Sequence, residues 1–165
     1  MRSRVRAAGH AVHPILIVFP LGLLTTAVGF DVLHLVTDRV SFAFTAAHLI
    51  AAGVLMGVVT SATGWLDWFL VVPRGTRARR VGLLHGLVNA AVLAVFAVSW
   101  LLRLGEQDWL PTWPAVIAGW VGLLAAGLGG WLGGELVERL GVSVEEGAHV
   151  DAPSSLSGES VSSRR

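Results

Sequence analysis

Residues 13–36 read HPILIVFPLGLLTTAVGFDVLHLV, an apolar run whose one carboxylate is Asp31. As a helix it rises about 36 Å, enough to cross a hydrocarbon core of about 30 Å. His13 and Asp31 are 18 residues apart. That is about five whole turns, so both stand on one face, about 27 Å from each other. The run at 81–103, VGLLHGLVNAAVLAVFAVSWLLR, repeats the spacing with His85 and Arg103. If both helices cross a membrane in the same direction, the histidines share one depth. Asp31 and Arg103 share the other.

The composition agrees with a membrane setting. Charged residues make up 14 % of the chain, against about 25 % in soluble domains, and the mean hydropathy is +0.70. Four stretches can span, at about 14–36, 42–72, 81–102 and 114–134. Six of the seven Trp lie toward the segment ends or in the loop before the fourth, as an interfacial belt requires. No Cys is present, which excludes disulfides, thiolate catalysis and cysteine metal sites. The net charge of +1 gives no indication of a nucleic-acid partner, because the basic residues flank apolar spans.

All 12 basic residues are Arg. Arg2, Arg4 and Arg6 precede the first span, Arg74, Arg77, Arg79 and Arg80 fill the loop between spans two and three, and Arg139 follows span four. Only Arg39 and Arg103 lie in the other two loops. The positive-inside rule therefore puts both termini in the cytoplasm, and spans one and three both run outward. The first span continues into Asp31 and His34 without a small-x-small site, so it reads as a retained span rather than a cleaved signal peptide.

Residues 1–12 read as a basic tail, 13–141 as the membrane domain and 142–165 as a disordered Ser-rich tail. Pro14 suits a first helical turn, and Pro20 is placed to kink span one. The loops are short, so any chemistry belongs within the bundle or at its edge. Gly53, Gly57, Ser61 and Gly64 form a small-residue stripe on span two. Gly122, Ala126, Gly130 and Gly134 form another on span four, with Gly129 and Gly133 beside it. Such stripes serve close helix packing or make room for a flat cofactor.

At the cytoplasmic depth the spans bring His13, Asp67, His85, Asn89 and Glu135 to one layer. Ionisable groups within spans normally face the bundle interior. Three chemistries fit this layer. His13 and His85 can ligate a b-type haem from opposite faces, with Asp67 orienting one imidazole and Asn89 beside His85. Alternatively, His13, His85, Asp67 and Glu135 can bind a divalent metal such as Zn²⁺. The third reading is a structural clasp of polar groups between helices, with no cofactor. Asp31 and Arg103 read as a structural ion pair. His34 lies off the Asp31 face, His48 lacks a partner ligand at matched depth, and His10 and His149 read as solvated. No nucleophile elbow, phosphate loop or metalloprotease motif is present.

His13-Pro14 opening span one, Asp31 closing it, Gly64-Trp65-Leu66-Asp67, His85 with Asn89, and the Gly-rich fourth span running into Leu140-Gly141-Val142 together resemble the bacterial membrane family called domain of unknown function 2231. The resemblance covers roughly residues 12–144. It implies a four-span bundle in the bacterial cytoplasmic membrane and no established activity. Some similar domains are joined to cytochrome or Rieske-type modules, which favours a redox role; His48 is outside the pattern.

The expected fold is an all-α four-helix transmembrane bundle with antiparallel neighbours and both termini cytoplasmic. The expected function is a small membrane redox module with one haem b between His13 and His85, an electron carrier more than an enzyme. The expected partners are the lipid bilayer and either redox proteins or further copies of the chain, with no nucleic acid.

A reporter active only outside the cytoplasm tests the topology. Fused within 105–113 it should be active, and fused to the C-terminal tail it should be silent. The reverse pattern would move the histidine layer to the outer face.

Overall fold

The computed structural model describes residues 1–157. The elements are β1 (Arg6–Ala7), β2 (His10–Ala11), α1 (Val12–Leu16), α2 (Val18–Thr37), α3 (Val40–Leu70), α4 (Arg77–Leu101) and α5 (Trp113–Gly134), the last prolonged by a wide π-type turn over Glu135–Arg139. With α1 and α2 taken together, four helices are long and apolar enough to cross a membrane. Consecutive helices pack side by side, and α5 closes the ring by returning to α2. Helices α2 and α4 thus face each other across the bundle. The expected all-α four-helix architecture is the one observed.

Local chemistry explains the boundaries. Pro20 has no N–H for the Leu16 carbonyl and crowds it, so the first span breaks at Ile17, one turn ahead of the proline. Thr60 on α3 compensates: its hydroxyl donates to Met56 O at 2.8 Å and reaches Leu16 O at 3.4 Å. Helix α2 stops where Asp38 turns left-handed (φ +54°), and its N–H closes on His34 O at 2.8 Å. Helix α4 begins at Arg77, ahead of the expected Val81, because Thr76 caps it and accepts from Arg79 N at 3.1 Å. Pro114 sits in the first turn of α5, where its missing N–H costs nothing. After the π-type turn, Gly141 (φ +62°) folds the chain back so that Val142 N–H reaches Leu136 O at 2.9 Å.

The N-terminal residues, expected as a plain basic tail, form a small hairpin. Ala8 (φ +46°) and Gly9 (φ +81°) make the turn, which pairs Arg6 with Ala11 and Ala7 with His10. The hairpin lies at the end of the bundle where α5 finishes, because Arg2 and Arg6 both bridge to Glu145, at 3.1 and 2.9 Å. In the segment expected to be a disordered tail, residues 142–157 form only turns, and residues 158–165 lie outside the described residues.

The buried core is offset from the middle of the bundle. Leu24, Ala27, Val28, Ile50, Val92 and Phe96 form it, and beyond them sits the ion pair. Arg103 donates to both Asp31 oxygens, Nη1 to Oδ1 at 2.8 Å and Nη2 to Oδ2 at 2.6 Å. Both side chains are essentially inaccessible. Arg103 Nε donates to Ser99 O at 3.3 Å, and the Ser99 hydroxyl donates to Ala115 O of α5 at 2.7 Å. One polar knot therefore joins α2, α4 and α5.

Removing one member strands the other. Asp31→Asn or Arg103→Gln should each destabilise the bundle by about 3–5 kcal/mol, the usual cost of an uncompensated buried charge. The double variant should cost less than the two single losses combined. Unfolding in detergent measures this, and strict additivity would contradict the geometry.

Candidate functional site

The opposite half of the bundle is open inside. A cavity of about 380 Å³ reaches from Leu24 and Val92 to Val142 and Ser143 at the end of the bundle. Its walls are mostly apolar, and its polar groups include His13, Thr60, Asp67, His85 and Asn89.

His13 stands on α1 and His85 on α4, across the bundle from each other. Each imidazole is held through Nδ1 by a backbone carbonyl of a neighbouring helix: His13 by Thr60 O of α3 and His85 by Gly129 O of α5, both at 3.0 Å. A carbonyl only accepts, so Nδ1 carries the proton in each ring, and in the neutral imidazole Nε2 keeps its lone pair. The ring centres are 6.4 Å apart with their planes at 84°. Glycines let the rings lie against bare backbone. A Cβ on Gly64 would come within 2.8 Å of His13 Cε1, and one on Gly133 within 3.2 Å of His85 Cε1. Asn89, one turn beyond His85, donates to His85 O at 2.8 Å.

The remaining members of the expected layer are occupied elsewhere. Asp67 lines the cavity, but its carboxylate accepts from the Ser3 hydroxyl, Arg4 N at 3.0 Å and Val5 N at 3.4 Å. The groups that orient the imidazoles are thus two carbonyls. Glu135 pairs with Arg77 at 2.6 Å. Among the described residues, no three His, Asp or Glu side chains come together as a metal shell. His13, His85, Asp67 and Glu135 are therefore not gathered around one point.

The other histidines lie apart. His48 is exposed, holds Phe44 O at 2.8 Å and contacts the rings of Phe44 and Trp109. His34 meets Arg39 O at 3.2 Å, His10 meets Ala8 O at 3.1 Å, and His149 accepts from Asp151 N at 3.3 Å.

Part of each glycine stripe receives side chains, whereas Gly130 and Gly134 face open space. Leu24 fills the space at Gly53, Leu93 at Gly57, Phe96 at Gly122 and Asn89 at Gly129. Two glycines outside the stripes do the same: Trp65 lies over Gly86 and Trp68 over Gly82. Neither they nor the two carbonyl acceptors stand out in the sequence. Pro20 is the available signal for Thr60, because it frees a carbonyl that something on α3 must satisfy.

Residues 9–146 match the model of a family described as "Predicted membrane protein (DUF2231)". No curated protein and no solved structure matches the chain.

The packing separates two glycines by their expected response. Gly86→Ala puts a methyl within 2.6 Å of the rigid Trp65 ring, so it should destabilise by about 1–3 kcal/mol. At Gly130 a Cβ meets nothing within 4 Å, so Gly130→Ala should be neutral or stabilise by up to about 1 kcal/mol. Thermal denaturation in detergent checks the order, and equal losses would contradict it.

Proposed function

This chain belongs to the DUF2231 family of predicted membrane proteins, and on that premise we propose that it is a multi-pass bacterial cytoplasmic membrane protein that holds one b-type haem between His13 and His85. One observation carries the reading: two imidazoles lie across the bundle from each other with ring centres 6.4 Å apart, each tied through Nδ1 to a carbonyl. His13 and His85 would hold the haem iron, each through the Nε2 that its carbonyl-bound Nδ1 leaves free. Carbonyl-bound Nδ1 is the usual support of a ligating histidine, because it fixes both tautomer and ring direction.

The chain's own residues divide the work. Thr60 and Gly129 aim the imidazoles, Gly64 and Gly133 let the rings lie on bare backbone, and Asn89 braces the α4 backbone at His85. Leu24, Val92 and Leu93 keep the upper cavity apolar. Asp67, engaged by the N-terminal hairpin, leaves the imidazoles with neutral acceptors. Bound haem would supply one-electron transfer, and the protein would act as an electron carrier between redox partners rather than as an enzyme. Both termini would be cytoplasmic, following the arginine distribution.

A second reading has its own support. The same two Nδ1 bonds join α1 to α3 and α4 to α5, which suits a polar clasp with no cofactor. Zinc at His13 and His85 would need ligands from beyond the described side chains, because Asp67 and Glu135 are engaged elsewhere.

Protein purified from haem-replete cells should show a Soret band and sharpened visible bands on reduction. His13→Ala or His85→Ala should abolish the low-spin spectrum while helix content in detergent is retained, and His48→Ala should leave it intact. A wild type that stays colourless after haem reconstitution overturns the haem reading. Loss of thermal stability in His85→Leu, without loss of any ligand, would then support the clasp.

A further inference from the structure

The cavity is sealed differently on its four sides. Between α3 and α4, side chains close on glycines: Trp65 on Gly86, Trp68 on Gly82 and Leu93 on Gly57. Between α4 and α5, Phe96, Asn89 and His85 close on Gly122, Gly129 and Gly133. Leu24 on Gly53 and His13 on Gly64 close the first span against α3. Built Cβ atoms at seven of these eight glycines would come within 3 Å of the facing side chain, and the eighth, Gly133, within 3.2 Å. These seams are closed by side chains at those glycines.

The fourth seam, between the first span and α5, is closed over only half its length. In the ion-pair half, Gly119 of α5 lies against Val28 and Asp31 of α2. In the histidine half, α1 packs on α3 and α2. There, Gly130 is exposed and a Cβ on it would meet nothing within 4 Å. Three further cavity-lining residues are also exposed on the outer surface: Ile17 at 36 %, Leu21 at 53 % and Val137 at 44 %. A residue that lines a cavity and also faces outward marks an opening. Here the opening is apolar and lies along the membrane-crossing part of the helices. The end of the bundle that would face water is obstructed. Ser3, Arg4 and Val5 sit on Asp67, while Arg2 and Arg6 are bridged to Glu145.

We propose that this lateral gap, with Ile17 and Leu21 on one side and Gly130 and Val137 on the other, is a port through which the cavity takes a bilayer-dissolved, largely apolar ligand from the leaflet at the histidine end. That the ligand is haem rests on the reading above; the port itself rests on the seams. Haem suits such a route because its macrocycle is apolar and partitions into lipid. Gly130 is the threshold: it is the point on α5 where any side chain narrows the gap and where nothing in the fold needs the space.

The absence of native Cys allows a direct test. Ser61→Cys places one thiol on the cavity wall, to be probed in liposomes with a lipid-dissolved pyrene maleimide and with a membrane-impermeant sulfonated maleimide. The lipid-dissolved reagent should label faster. Adding Gly130→Trp should slow it by about tenfold or more, equivalent to about 1.4 kcal/mol on the barrier to passage. Leu84→Trp, on the exposed face of α4, should leave the rate unchanged. In parallel, haem uptake from haem-loaded vesicles should slow in Gly130→Trp and reach the wild-type Soret amplitude at long times. If Gly130→Trp fails to fold, Leu21→Trp narrows the other rim and should have the same effect. Equal labelling rates with and without the tryptophan overturn the port, as does faster labelling by the impermeant reagent. A wild type that never takes up haem, but whose Ser61→Cys labelling still depends on Gly130, keeps the port and removes haem as its ligand.

Discussion

The Asp31–Arg103 pair is the fixed point of this bundle. Helices in lipid gain little from hydrophobic association, so packing and polar contacts must hold them. A bidentate, fully enclosed pair is a directional contact that a shifted register would break. It joins α2 to α4, which face each other across the ring, and through Ser99 it reaches the Ala115 carbonyl of α5. His13 is 18 residues before Asp31, and His85 is 18 residues before Arg103. Pinning the two helices at one end therefore brings the imidazoles level at the other.

The halves of the bundle do different work because they are filled differently. Toward the ion pair, Phe96, Ile50 and Val28 are buried in the core cluster. In the histidine half, Trp65, Trp68 and Leu93 rest on glycines of adjacent helices while lining the cavity. Trp65 and Trp68 illustrate this: each rests on a glycine of α4 and contributes to a seam. Pro20 plays a part as well. It frees the Leu16 carbonyl, which the Thr60 hydroxyl reaches, and the Thr60 carbonyl accepts from His13 Nδ1. The freed Leu16 carbonyl and the His13 ring thus share one threonine.

Much of the fold is legible from residue order. The four apolar runs, their lengths and the short loops specify four helices able to cross a membrane, because a helix satisfies its backbone groups within one continuous apolar segment. The depth of each polar residue follows from the helical rise, which is why Asp31 and Arg103 meet and why His13 and His85 share a level. Other features were not legible. The Ala8-Gly9 turn depends on a positive φ at an alanine, for which the sequence carries no strong signal. Asp67 looked like a partner for an imidazole, and it is instead taken up by the Ser3 hydroxyl and by the backbone N–H groups of Arg4 and Val5, just ahead of the hairpin.

The sequence by itself determined that four long apolar helices form and that Asp31 and Arg103, like His13 and His85, stand at matching heights on their helices, since these follow from composition and a rise of about 1.5 Å per residue. Only the tertiary structure decided which groups turn toward one another. Rotation about a helix axis and the choice of rotamer depend on what the neighbouring helices offer. The His13 and His85 rings come within 6.4 Å of each other, each held at Nδ1 by the carbonyl of Thr60 or Gly129. Glu135 turns out to Arg77 and Asp67 to Ser3, because those partners are close enough to outbid the cavity. Spacing along a chain specifies height in the membrane, and direction is specified by the contacts between chains of atoms that are distant in sequence.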